Sequence, residues 1–168
     1  RSSGVTNLGT LNGDNSSFAL NINNNQQIFG KSFNTNTTPR TTRVFKWQDG
    51  TITSLGNLGT LSGSISSHIN EINNKGQAVG ASFGSSFQAF FWQNGTLTNL
   101  GNLGRTGSEA TDINHVGTVV GASSTSSGTL QAFVWRKGIM RNLNNLLPPN
   151  SGWELTVASA INDKGQIV

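Results

Sequence analysis

Two intervals in this 168-residue chain never change length. From an Ile to the Gly that follows it is 8 residues each time, as in Ile22 to Gly30, Ile72 to Gly80 and Ile113 to Gly121. From a Phe to the Leu that follows it is always 10, as in Phe45 to Leu55, Phe90 to Leu100 and Phe133 to Leu143. The stretches between them are elastic: Gly to the next Phe takes 15, 10 or 12 residues, and Leu to the next Ile takes 14, 17, 13 or 18. A further Ile at 161 extends the series, so the marker spacing is 50, 41 and 48 residues. Periods of this size belong to solenoids and propellers, and they constrain the fold before any local detail does.

Each period holds four short strand signals, exemplified by "SSHINEIN", "QAVGAS", "AFFW" and "TLTNL". Between the third and fourth stand Asp49-Gly50, Asn94-Gly95 and Lys137-Gly138. Such pairs between alternating apolar residues predict a type I′ hairpin, whose two central residues both need positive φ. Between the first and second, "NNKG" and "NDKG" predict a turn with Gly in the left-handed region. The first copy has Gln26 at that Gly, which predicts a differently built turn. In a four-stranded antiparallel meander the two fixed turns share one edge and the two elastic loops share the other. All length variation is therefore expected on a single edge.

Repeated meanders of about 41–50 residues predict an all-β fold of β-propeller blades. The chain would form a partial ring of three full blades plus flanking strands. Residues 4–20 would be the last strand of a preceding blade and a connector, 21–58 blade 1, 59–103 blade 2 and 104–146 blade 3. Residues 147–168 would be the first two strands of blade 4, which reads as a fragment of a longer chain. Trp47, Trp92 and Trp135, with Ile22, Ile72, Ile113 and Ile161, are expected to pack between blades as repeat core.

Composition excludes several function classes. Only 11% of residues are charged, and the net charge of +4 is spread thinly, its closest grouping being Arg136, Lys137 and Arg141. A nucleic-acid partner would call for a dense basic stripe with interleaved aromatics. Cysteine is absent, which removes disulfides and thiolate metal sites. No apolar stretch approaches the roughly 20 residues of a membrane-spanning helix.

The pattern "AFxWxxGxxxxLGxLG" followed by "xxINxxGxxVG" resembles the HAF-type extracellular repeat of bacterial proteins over nearly the whole chain. The His for which that repeat is named is replaced here by Arg43, Gln88 and Gln131. The resemblance implies a secreted or cell-surface propeller and implies no enzymatic activity.

Recognition is expected on the elastic edge, because rigid scaffolds carry function on loops of variable length. The loop "KSFNTNTTPRTTR" offers Lys31, Arg40 and Arg43; "NNLLPPNSGWEL" offers Trp153 beside Glu154; Phe83 and Phe87 flank a third loop. An aromatic face beside amide and carboxylate groups suits a sugar ring, so the expected partner is a glycan or another extracellular ligand. Contact with other copies through open blade edges is the alternative. Glu71 and Asp112 occupy one repeat position near the expected central channel, where two carboxylates could hold calcium or serve a glycosidase-like reaction. Asn21 and Ala160 break that ring, so both read as solvated channel residues. His68 and His115 lie outside any metal-spaced cluster, and no catalytic residue, metal ligand set or cofactor motif is assigned.

Overall fold

The computed structural model describes residues 4–38, 40, 42–55 and 66–168. It is all-β. Strands β1 (Ser16–Ile22), β2 (Ile28–Phe33), β3 (Thr42–Gln48) and β4 (Thr51–Ser54) form a first sheet. A second contains β5 (Ser66–Ile72), β6 (Ala78–Phe83), β7 (Phe87–Gln93) and β8 (Thr96–Asn99). The third contains β9 (Gly104–Ile113), β10 (Val119–Thr125), β11 (Leu130–Arg136) and β12 (Ile139–Asn142). Every sheet is antiparallel with its strands in chain order. A 3-10 turn (Leu143–Leu146) follows, and a last hairpin closes through an Ile161–Ile167 bridge.

The turns explain why two intervals are rigid. Asp49, Asn94 and Lys137 take φ of 49°, 48° and 50°, each followed by a Gly near 80°. That is the type I′ geometry whose twist matches the strands it joins. At the other fixed turn, Gly76, Gly117 and Gly165 adopt left-handed φ and donate to the carbonyls of Asn73, Asn114 and Asn162. The first copy corrects the expectation of a different turn: Gln26 sits at φ 59° and donates to the Asn23 carbonyl over 3.0 Å, as its Gly counterparts do. Holding a non-Gly residue there costs about 1–2 kcal/mol, partly offset by the stiffer unfolded chain. Gln26→Gly is expected to stabilise the protein by about 0.5–1 kcal/mol in urea unfolding, and a loss of stability would refute that account.

The sheets stack face to face, so the strands carry apolar residues on both sides. Phe29, Val44 and Leu55 of the first sheet pack on Ile69, Ile72, Ala78, Phe90 and Trp92 of the second. Val79, Ala89 and Leu100, on the opposite side of the second sheet, pack on Ala110, Ile113, Val119, Phe133 and Trp135 of the third. Val120, Ala132 and Leu143 then meet Ala158 and Ile161 of the last hairpin. Phe90 and Phe133 are fully buried, each contributing roughly 1.5–3 kcal/mol of apolar transfer. Trp92 donates its indole N–H to the Leu55 carbonyl at 3.1 Å, and Trp135 stacks on Phe91 at 5.6 Å.

Two expected core residues differ. Ile22 is 68% exposed and Trp47 only half-buried. Their counterparts point at the preceding sheet, and among the described residues no sheet packs on that side of the first one. The segment 4–11, the start of the stretch 4–20 expected to open on a strand, is irregular, and no described strand pairs with it. It is nevertheless held, since the Leu11 amide donates to the buried Ser32 hydroxyl over 3.1 Å. The expected boundary at 58/59 lies outside the described residues.

Each first strand carries a bulge at the same place: Leu20, Asn70 and Thr111 are the extra residues in their ladders. Opposite stand Gly30, Gly80 and Gly121. A Cβ on these would lie 2.2, 2.0 and 2.0 Å from the carbonyl oxygens of Phe18, His68 and Glu109. The invariant Gly of the 8-residue interval is thus required by close approach, not by its backbone angle.

Candidate functional site

The fixed turns and the elastic loops do lie on different edges. Lys75 and Gly76 of one turn share a depression with Asn94 and Gly95 of the other. On this edge runs a ladder of asparagines. The side-chain amide of Asn23 donates to the Asn73 carbonyl at 3.0 Å, Asn73 to Asn114 at 3.0 Å, and Asn114 to Asn162 at 3.2 Å. Each side-chain oxygen also accepts from backbone amides of its own turn, as Asn73 does from Lys75 and Gln77. Every polar group of this row has a structural task.

The two carboxylates expected in a channel are occupied in the same way. Asp112 accepts from the Ile113 amide at 2.7 Å and, across to the last hairpin, from the Ile161 amide at 2.6 Å. Glu71 accepts from the Ile72 amide at 2.8 Å. Each thus caps a backbone amide at the end of its own strand. Among the described residues no group of three or more His, Asp or Glu is placed to hold a metal ion. No helix there is long and apolar enough to cross a membrane.

The elastic edge is arranged differently. Four residues before each marker Ile stand Phe18, His68, Glu109 and Val157, the residues whose carbonyls the conserved Gly accommodates where the chain has one. Their neighbours are nearly constant: Ser17, Ser67, Ser108 and Thr156 on one side, and Ala19, Ile69, Ala110 and Ala158 on the other. His68 Nε2 lies 3.0 Å from Glu109 Oε1. Asn70, the bulge residue, donates to the same oxygen at 3.0 Å and to the Ala110 carbonyl at 2.8 Å. Among the described residues Glu109 Oε2 has no partner, and the side chain is 44% exposed.

Aromatic rings continue from this pair. The His68 ring lies 4.7 Å from Phe83, which meets Phe87 edge-on at 4.8 Å. Phe87 and Glu109 line one groove of about 230 Å³, with Ala122, Leu130 and Val157 completing an apolar wall. Phe87 is 52% exposed, and Leu130 and Val157 nearly as much. The second and third sheets and the last hairpin all contribute to it. An apolar wall facing one carboxylate with an uncommitted oxygen can take a ligand that has both an apolar face and hydroxyl or amide donors.

The other expected ligand residues are scattered. Arg43 is committed to Asp14 at 2.8 Å and to the Asn12 carbonyl at 2.7 Å, a tie that pins the irregular leading segment. Arg40 lies over the Phe33 ring at 5.0 Å on the first sheet. Trp153 is 76% exposed and outside the groove lining, and Glu154 faces Gln131 at 3.4 Å. His68 and Glu109 were not singled out as a site by sequence reasoning. The usable signal was the one divergent position held between two nearly constant ones.

No family model, curated protein or solved structure matches the chain.

Proposed function

We propose that this chain is part of a secreted or surface β-propeller that resembles the HAF-type extracellular repeat and binds carbohydrate without turning it over. Face-to-face sheets whose first strands are linked in series support the propeller reading. The observation that carries the function is the meeting of Phe87 and Glu109, from neighbouring sheets, in one groove on the edge of variable loops. A pyranose would lay its C–H face on the Phe87 ring and give a hydroxyl hydrogen to Glu109 Oε2. His68 and Asn70 hold Oε1 and so fix the direction of Oε2. A glycoside hydrolase generally needs two carboxylates flanking the bond; Glu109 is the one that lines this groove.

A glycan array followed by calorimetry on the best ligand tests this. Phe87→Ala is expected to weaken binding about tenfold, the scale of one stacking contact of roughly 1.4 kcal/mol. Glu109→Gln should weaken it comparably by removing a charged acceptor without changing shape. Trp153→Ala should leave affinity within twofold. A tenfold loss at Trp153 with none at Phe87 would move the site to the 144–155 loop and refute the groove.

A further inference from the structure

The row of positions that holds His68 and Glu109 begins one sheet earlier, and there its chemistry changes sign. Phe18 holds the position of His68, and Phe33 that of Phe83. The two rings stack at 5.7 Å, and Phe18 is 53% exposed. Lys31, opposite Phe18 in the β1–β2 ladder, places its Nζ 5.5 Å above that ring. The Arg40 guanidinium lies 5.0 Å over Phe33. Lys31 has Ala81 and Ala122 as its counterparts in the other sheets, so no cation recurs at this place. Among the described residues neither Lys31 nor Arg40 has an acidic partner, and Asp14 is paired with Arg43.

A ring face leaves the outer side of a cation unpaired, and holding it there reduces the entropy lost on meeting an anion. The first sheet also adjoins the groove-bearing ones directly: Asn21 donates to the Asn70 carbonyl at 3.3 Å, and Asn70 reaches Glu109. An extended ligand lying across the sheets would meet the aromatic, acidic groove first and the aromatic, cationic pair next.

We infer that Phe18, Phe33, Lys31 and Arg40 form a second subsite of the same binding edge, and that it selects acidic oligosaccharides bearing carboxylate or sulfate groups. The inference rests on the carbohydrate reading above and adds the ligand class. The half-exposed Phe18 offers an apolar ring edge to the sugar, while Lys31 and Arg40 contact the anionic substituent, Arg40 in bidentate fashion.

Matched polymers test it in low salt: polygalacturonate against its methyl ester, and a sulfated galactan against its desulfated form. The protein should bind at least one acidic member about tenfold more tightly than its neutral match. Which pair shows the preference tells carboxylate from sulfate. The Lys31→Gln/Arg40→Gln protein should lose that preference yet keep its affinity for the neutral form. A Lys137→Gln/Arg141→Gln protein, with the same change in net charge on exposed residues of the third sheet, should behave as the parent does. Equal affinity for acidic and neutral forms would overturn the inference and leave the carbohydrate reading standing. So would an equal loss in both double variants, which would mark diffuse charge rather than a subsite. Absence of binding to all four polymers and to every neutral glycan on an array would overturn both.

Discussion

Gly80→Ala should be among the most damaging single-methyl changes this chain can suffer. The added Cβ would stand 2.0 Å from the His68 carbonyl oxygen and 3.0 Å from both the His68 carbonyl carbon and the Ile69 Cα. All three are backbone atoms at a bulge, so no flexible side chain can yield. Overpacking a rigid site costs about 1–3 kcal/mol, and more when the backbone itself must move; a loss of about 3 kcal/mol or more is expected in urea unfolding. Gly4, whose Cβ would meet nothing within 4 Å, provides the control, and Gly4→Ala should stay within about 0.5 kcal/mol. The displaced carbonyl belongs to His68, so Gly80→Ala should also disturb the support of Glu109 and weaken ligand binding. Stability within 1 kcal/mol of the parent would show that the bulge can open at little cost, and would remove close approach as the reason for this Gly.

Much of this architecture could be read from the residues because its rigid parts are local. A type I′ turn needs two positive φ values and a fixed number of residues, so Asp49-Gly50 and Asn94-Gly95 announce both the hairpin and its register. The stacking of sheets was legible through strands apolar on both faces. The bulges were not, since an extra residue such as Asn70 only interrupts an alternation that short strands barely display. Gln26 misled for a related reason: the turn is specified by the whole Asn-containing loop, which imposes a left-handed angle even on a residue that disfavours it. At the site, Phe83 and Phe87 could be found as aromatics flanking a variable loop. The His68–Glu109 pair could not, because 41 residues separate its members and only the stacking of consecutive sheets makes them neighbours. The Arg43–Asp14 pair was hidden for the same reason, since 29 residues separate its members.

Asn73→Ala is expected to cost about 2–4 kcal/mol, because one buried side chain serves two sheets at once. Its oxygen accepts from the Lys75 and Gln77 amides, and its amide donates to the Gln77 side chain at 2.5 Å and to the Asn114 carbonyl at 3.0 Å. Only 6% of the residue is exposed, so water cannot readily replace what is lost. Asn162 has the same bonds within its own turn, from Lys164 and Gln166, yet it is exposed and its side chain makes no contact with a further sheet among the described residues. Asn162→Ala should therefore cost about 1 kcal/mol, the net worth of solvent-compensated hydrogen bonds. The difference between the two variants measures burial together with the cross-sheet bond, in an array where each sheet is stabilised mainly by its neighbours. If both substitutions cost the same, the asparagines act only as turn residues. The interval that keeps Asn in every copy would then reflect local geometry alone. A cost concentrated at Asn73 instead makes the fixed edge the fastening of the stack, which leaves the opposite edge free to vary for recognition.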